Sequence, residues 1–485
     1  MPLVAGIDSS TQSTKVALRD SATGRVVGEG KSRHHPTVPP RSEQDPSTWW
    51  SALADALAQA IASADVADAG ADVAAISVAS QQHGLVVLDR EGAVIRPAKL
   101  WNDTESSFDA DQLAGRISAS AWVDACGSLP VAAFTITKLA WLRRSEPASF
   151  ARIAHVLLPH DWLNFRLTGR YVTDRGDASG TGYWSPRENR YRDDLLALVD
   201  GAVDWSAVLP EVLGPWDAAG ALTDEAASAL GLCPGIPVGI GTGDNMAGAL
   251  GLGLQAGDVA ISIGTSGTVF TTNEQPARDP TGAVAGFADA TGRFLPLVCT
   301  LNATQVTGAV AHLLAVPVRK LDTLALSAPS GSDGLTLVPY FAGERTPNRP
   351  DATGSLHGIR TDVSRESLAR AAFEGVACGL LEGLDALSEA GVATGSGRLL
   401  LIGGGSRSRA YREVMATLAQ RAVTVPLDAE IVSAGAAVQA AVLATGADVR
   451  AVGEAWGLGR GDEVLPATGG IQADEIRHRY AHARG

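Results

Sequence analysis

The sequence predicts an α/β fold built as two related domains, and three observations point that way. Its 485 residues exceed what one hydrophobic core commonly covers. Apolar runs of strand length alternate with longer stretches of helical periodicity. A strand, a turn of small residues and a second strand occur at residues 3–19 and again at 259–272. Such an echo arises either from duplication of a domain or from the general frequency of short hairpins with Gly and Ser turns.

Taken in order, Leu3 to Asp8, Lys15 to Arg19 and Val26 to Glu29 read as three short strands. The hydroxyl-rich turn Ser9-Ser10-Thr11-Gln12-Ser13-Thr14 separates the first two, and the hairpin turn Ser21-Ala22-Thr23-Gly24 the last two. Asp45 and Pro46 supply an N-cap and a first-turn proline for a helix with Trp49, Leu53, Leu57 and Ile61 spaced by four, the mark of a buried stripe. Val73 to Ala79 is a buried strand ending in Ser80-Gln81-Gln82-His83-Gly84, and Leu85 to Leu88 follows as another. Ile236 to Ile240 reads as a strand, Gly241-Thr242-Gly243-Asp244-Asn245 as its exit turn, and Met246 to Leu252 as a helix of small residues. Val259 to Ile263 and Thr268 to Thr272 flank the turn Gly264-Thr265-Ser266-Gly267. Leu401-Ile402 leads into Gly403-Gly404-Gly405-Ser406, and residues 446–485 read as a helical tail. The domain boundary is expected near residues 234–250, giving domains of 1–245 and 246–485.

Composition narrows the function. Hydrophobic residues make up 45% and charged residues 19% of the chain, and no apolar run approaches the ~20 residues a bilayer span needs. The opening Leu3-Val4-Ala5-Gly6-Ile7 is too short and too bare of preceding positive charge for a signal peptide, so a soluble, cytoplasmic protein is expected. A net charge of −14 carried by scattered acids argues against nucleic acid or an anionic membrane and for a small-molecule partner. Cys126, Cys233, Cys299 and Cys378 form no C-x-x-C pair, which sets aside zinc knuckles and redox motifs. None of Lys15, Lys31, Lys99, Lys138 and Lys320 has the glycine spacing of a Walker A loop, so a phosphate site here uses another architecture.

Each motif has a plain reading beside a chemical one. Asp8 is an Asx-turn residue, or the carboxylate of a turn whose hydroxyls and amides, with Lys15 beyond, hold polyphosphate and Mg²⁺. Gly264-Thr265-Ser266-Gly267-Thr268 is a hairpin, or a glycine turn that brings amides close to an anion. Asp244 is a helix N-cap, or a base that accepts the proton of a substrate hydroxyl attacking a γ-phosphate. Gln82-His83-Gly84 and Leu100-Trp101-Asn102-Asp103 are core and structural residues, or the donors, acceptors and indole face that a polyhydroxylated ligand requires. Gly403-Gly404-Gly405-Ser406 is an ordinary glycine turn after a strand, or one that lets backbone pack against a purine and ribose.

In this order these segments resemble the FGGY family of carbohydrate kinases over nearly the whole chain. Gly6-Ile7-Asp8 with Thr11 and Lys15 is similar to that family's first phosphate motif, and Gly264 to Thr268 to its second. Gly403-Gly404-Gly405-Ser406 with Ala434-Gly435 is similar to its adenosine motif, and Gly243-Asp244-Asn245 to the segment carrying its catalytic Asp. Gln82-His83-Gly84, Leu100 to Asp103, Phe134 to Trp141, Gly343-Glu344-Arg345-Thr346-Pro347 and Ala372 to Gly375 match the branch that acts on D-xylulose. Ser10 and Ser13 stand where glycine is common, and Gln82 where that branch often has Met. The resemblance implies two ribonuclease H-like domains of the actin and hexokinase type around a central interdomain cleft, with sugar bound by residues 1–245 and nucleotide by 246–485. It implies ATP-dependent phosphorylation of D-xylulose, with Asp244 as base and Asp8 placing Mg²⁺ and the phosphates. Gln82, His83, Asp244 and Asn245, with Trp101 and Asp103, would hold the sugar. Thr11, Lys15, Gly264, Thr265, Ser266, Gly267, Gly403, Gly404, Gly405 and Ser406 would hold the nucleotide. Arg345 either touches ligand or braces its loop, and a homodimer is compatible with the family. The rival readings are a kinase of the same family for ribulose, gluconate or glycerol, and an ATP-driven switch of the actin or chaperone kind.

Overall fold

The computed structural model describes residues 2–467 and 473–485. Seven strands of the first half form one sheet: β1 (Leu3–Ser9), β2 (Ser13–Asp20), β3 (Val26–Arg33), β4 (Val73–Ser80), β5 (Ala218–Ala221), β6 (Pro237–Gly239) and β7 (Thr242–Gly243). Their order is β5-β6-β4-β1-β2-β3, with β7 also pairing β4. The helices that matter for the site are α1 (Pro46–Ser63), α2 (Thr135–Ser145), α3 (Pro159–Thr168) and α4 (Asp244–Gly251). The second sheet holds β8 (Val259–Ile263), β9 (Gly267–Thr271), β10 (Ala285–Ala288), β11 (Phe294–Thr300), β12 (Leu399–Ile402), β13 (Val423–Pro426) and β14 (Gly461–Val464), in the order β10-β11-β9-β8-β12-β13-β14. Two helices of this half are α5 (Arg365–Glu389) and α6 (Ile431–Thr445).

The two sheets share a plan. In the first, β1, β2 and β3 form an antiparallel meander and β4 lies parallel to β1. In the second, β8, β9 and β11 form the meander and β12 lies parallel to β8. The echo at residues 3–19 and 259–272 is therefore the opening hairpin of each meander. Both hairpins are buried, and Leu3, Val4, Ala5 and Ile7 are wholly enclosed, as are Val259, Ala260, Ile261 and Ile263. This explains why these strands read as near-continuous apolar runs and not as alternating ones. Helix α1 starts where expected: the Asp45 side chain accepts the Ser47 amide, Pro46 occupies the first turn, and Trp49, Leu53 and Leu57 are buried.

The strand expected at 85–88 is present as Val86–Leu88, which pairs His155–Leu157 in a two-stranded ladder of its own. Two expectations need correction. The tail is not simply helical, because β14 closes the edge of the second sheet by pairing β13, between the helices Val449–Trp456 and Ala473–Arg484. Residues 468–472 of that tail lie outside the described residues. Asp244 is the first residue of α4 and Gly243 its cap, so the carboxylate is not spent on capping the helix. Among the described residues no helix is long and apolar enough to cross a membrane.

Helix α6 joins the halves. It lies along β1, β4, β2 and β6 of the first sheet while also packing on α4. Small residues permit this approach: a Cβ on Gly435 would stand 1.9 Å from the Ala247 carbonyl oxygen, and one on Gly251 2.0 Å from that of Ile431. Ser77 donates to the Gln439 side-chain oxygen at 3.0 Å, tying β4 to α6.

Candidate active site

Strands β1, β4 and β7 run parallel and end together, since Asp8 pairs with Ala79 and Ser9 with Ser80 across one ladder, and Thr242 with Ala79 and Gly243 with Ser80 across the other. This register brings Asp8, the Gln81-Gln82-His83 segment and Asp244 to one end of the first sheet. Ligands of open α/β sheets bind outside such carboxyl ends. The second sheet presents its own pair: Gly264–Gly267 follows β8, and Gly403–Ser406 follows the parallel neighbour β12.

Asp8 is 3% exposed. It accepts from the Ser10 hydroxyl, and its other oxygen lies 3.9 Å from Lys15 Nζ. Burial raises its pKa to about 6, against the pull of Ser10 and Lys15. Lys15 reaches across to the second half, with Nζ 2.5 Å from Glu430 Oε2. The Thr11 hydroxyl is committed within the first half, donating to Gln81 Oε1 at 3.1 Å and accepting from the Trp101 indole at 2.9 Å.

Asp244 is half-buried, and its pKa rises to about 7 through burial first and the charges of Asp8 and Asp177 next. It accepts from the backbone and side-chain amides of Asn245 at 2.8 and 3.0 Å. Asn245 in turn donates to Gln82 Oε1 at 2.8 Å, while the buried Gln82 Nε2 has no partner. His83 adopts a φ of 65°, a left-handed conformation uncommon for a non-glycine residue. Its Nδ1–H donates to the Gly180 carbonyl at 2.8 Å, which leaves Nε2 as an acceptor. Burial first, then the charges of Lys138 and Arg345, lower its pKa to about 3, so the ring is neutral. The ring sits 5.0 Å from Phe134 and 5.7 Å from Phe287, the latter on β10.

The second turn is anchored from behind. Ala303 and Thr304 amides donate to the Thr265 and Gly264 carbonyls at 3.2 and 3.0 Å, leaving Thr265 exposed and Ser266 half-buried. Gly403 has a φ of 82° and presses on the end of β8, where a Cβ would meet the Ile263 carbonyl oxygen at 2.8 Å. Gly404 faces open space and Ser406 donates to the Gly403 carbonyl at 2.8 Å.

Some expected residues go elsewhere. Asp103 is wholly buried, and its carboxylate accepts from Lys99, the Ser42 amide and the Glu105 amide at 3.0, 2.8 and 3.1 Å. Lys99 holds Glu43, Asp103 and Glu105 around its ammonium, so this acidic trio is engaged in bracing the fold. Trp101 is 42% exposed and covers Thr11. Ala434 is enclosed and Gly435 packs against α4.

Other residues emerge only from the fold. Buried His160 lies on α3, with Nδ1 2.7 Å from Asp177 and Nε2 3.2 Å from Asp161 and 3.6 Å from Asp174. Burial opposes its charge, but the three carboxylates outweigh burial and raise its pKa. Asp174 accepts from the Thr242 hydroxyl at 2.8 Å and Asn164 donates to the Ile240 carbonyl at 2.6 Å, so this cluster fixes the strand that delivers Asp244. Lys138 on α2 donates to the His83 and Ala133 carbonyls, and burial lowers its pKa to about 7. The available signal was the density of His160, Asp161, Asp174 and Asp177 within eighteen residues of a chain with 53 acids in 485.

The geometry meets three sets of known proteins. A model of the N-terminal domain of the FGGY family of carbohydrate kinases matches residues 3–251, and one of its C-terminal domain matches residues 259–444. A protein of Streptomyces coelicolor named xylulose kinase is 45% identical over 98% of this chain and 94% of its own. One of Streptomyces rubiginosus with the same name is 44% identical over the same shares. The crystal structure of xylulose kinase from Bifidobacterium adolescentis superposes with a TM-score of 0.85 at 40% identity, covering 100% of this chain and 99% of that one.

Proposed function

This chain belongs to the FGGY family of carbohydrate kinases, and from that premise we infer that it phosphorylates D-xylulose with ATP, giving D-xylulose 5-phosphate and ADP. The observation that carries the reading is the placement of Asp244. Its carboxylate stands where β1, β4 and β7 end together, beside Asn245 and the unpartnered Gln82 amide, with its pKa raised to about 7. A base with a pKa near the working pH combines a substantial ionised fraction with a stronger pull on the hydroxyl proton.

In the proposed step, Asp244 accepts the proton of the sugar's terminal hydroxyl as that oxygen bonds to the γ-phosphorus and the bond to the ADP oxygen breaks. Gln82, Asn245 and the His83 acceptor nitrogen hold the remaining hydroxyls. The turns at Gly264–Gly267 and Gly403–Ser406 hold phosphates and adenosine, and Lys15 stands beside the phosphates. Residues 1–245 form the sugar-binding domain and 246–485 the nucleotide-binding domain in this proposal. The donor set at Asp8 fits Mg²⁺, since a buried carboxylate and the Ser10 hydroxyl are oxygen ligands and the Asp8 charge acts on Asp244 as well, a pairing that a cation would relieve. Mg²⁺ bound there supplies charge neutralisation for the phosphates. On the family likeness alone, the proposal extends to a cytoplasmic location and a homodimer.

The test is a coupled ADP-release assay with Mg-ATP and D-xylulose, D-ribulose, L-ribulose, glycerol, gluconate or no sugar. Strong stimulation by D-xylulose is expected. Stimulation by another acceptor alone discards the xylulose assignment, and equal turnover with and without sugar discards the kinase. Asp244→Ala is expected to keep the fold and ATP binding while lowering kcat by about 10²–10⁴-fold.

A further inference from the structure

Arg345 is the cleft residue whose part the reading above leaves open. The residue before it fixes its place. Glu344 is buried and accepts from the Leu301 amide at 2.7 Å, from the Asn302 side chain at 3.0 Å and from the Arg345 amide at 2.8 Å. Asn302 also donates to the Gly343 carbonyl at 2.6 Å. Leu301 and Asn302 leave the end of β11, where Thr300 pairs with Gly267, and the next two residues hold the Gly264-Thr265 carbonyls. The loop carrying Arg345 is thus fastened to the back of the second phosphate turn. Its charge reaches both His83 on the first half and Cys299 on β11, and Asp244 acts on the same thiol. Arg345 therefore stands between the phosphate turn and the sugar end of the cleft.

The brace belongs to Glu344 and to backbone. The Arg345 guanidinium has no hydrogen bond or ion pair among the described residues and is half-exposed. Its neighbours make this conspicuous. Lys15 is paired with Glu430 and Asp8, Lys138 is bound to carbonyls, and His83 is neutral. The carboxylates of Asp8, Asp177 and Asp244 crowd the same region. A phosphoryl group arriving there meets net negative charge, and a fixed cation that cannot lose its proton offsets it.

We propose that Arg345 is a catalytic residue that binds the non-bridging oxygens of the phosphoryl group in transfer and of the sugar phosphate that results. It supplies from the second half what the acids of the first half lack, and it contributes little to holding the unphosphorylated sugar. The proposal rests on the kinase reading above, and its tests are ratios to wild type taken with whichever acceptor the panel selects.

Arg345→Ala, Arg345→Lys and wild type are compared. For Arg345→Ala the expected loss in kcat is about 10²–10³-fold, with KM for the sugar within roughly threefold. Titration calorimetry of the same variant should show affinity for the sugar phosphate falling about 10–100-fold and that for the free sugar unchanged. Arg345→Lys should regain part of kcat, and millimolar guanidinium should restore part of the activity of Arg345→Ala, an effect that a merely structural arginine would not show. The proposal is overturned if Arg345→Ala keeps kcat within about threefold of wild type. It is equally overturned if both ligands weaken in parallel, or if guanidinium restores nothing. A wild type that turns over no acceptor sinks the kinase reading, while unchanged sugar-phosphate affinity in Arg345→Ala still decides against Arg345 by itself.

Discussion

Asp244 is placed where its own ionisation is unwelcome, in a half-buried site facing Asp8 and Asp177. Its folded pKa of about 7 lies above the ordinary 3.8, so the folded state holds this proton more tightly than the unfolded state does. The resulting penalty is absent below the unfolded value, grows as pH rises between the two, and is fully present above the folded one. Asp244→Asn should therefore raise Tm at pH 8 by roughly 1–3 °C, a gain that shrinks towards pH 4, as scanning calorimetry across pH can check. For the same reason kcat/KM of wild type should fall below pH about 7 as the base is protonated. The positions of Asp8, Gln82, His83 and Asp244 were legible as strand ends and the turns that follow them, while their roles were implied by the family resemblance. The fate of Asp103 was not, because Lys99 claims it only once the fold has brought Ser42 and Glu43 alongside. His160 escaped notice for the same reason: its three carboxylates become partners through packing of α3 and not through spacing.

At the level of elements, the contact between α4 and α6 links stability to chemistry. α4 begins at Asp244, and Gly435 of α6 meets the Ala247 carbonyl on the next turn. Gly435→Ala must separate the two helices, which should destabilise the protein by about 1–3 kcal/mol in urea titration. Because the shift moves the helix that starts with the base, kcat should fall as well while ATP affinity holds. The paired hairpins were legible as an echo because each is a local feature with small residues in its turn. Gly435 was tied to the nucleotide by the family resemblance alone, and its packing against α4 is a long-range contact that spacing does not show. Strand β14 was hidden for a different reason: Gly461-Asp462-Glu463-Val464 has no alternation, and pairing with β13 alone makes it a strand.

Across the whole molecule, the sugar groups and the Asp8–Lys15 turn are assigned to the first sheet and the turns Gly264–Gly267 and Gly403–Ser406 to the second, so productive transfer requires the halves to meet around both ligands. Small-angle scattering should show a smaller radius of gyration with D-xylulose and a non-hydrolysable ATP analogue together than with either alone, and no change would count against closure. The doubling of the hairpin was legible from the repeated strand-turn-strand pattern, whereas a division of labour between the halves was implied by the family resemblance alone. The way they are fastened was not, since α6 comes from the second half in sequence and covers the first sheet in space. That exchange has a consequence for how the protein is made. On the ribosome, β1 and β4 emerge about 420 and about 350 residues before α6, and for that interval one face of their sheet has nothing to lie against. The early half must wait, exposed, for a helix near the end of the chain. Its completion is thus a late, long-range event, slow by topology and dependent on protection from aggregation.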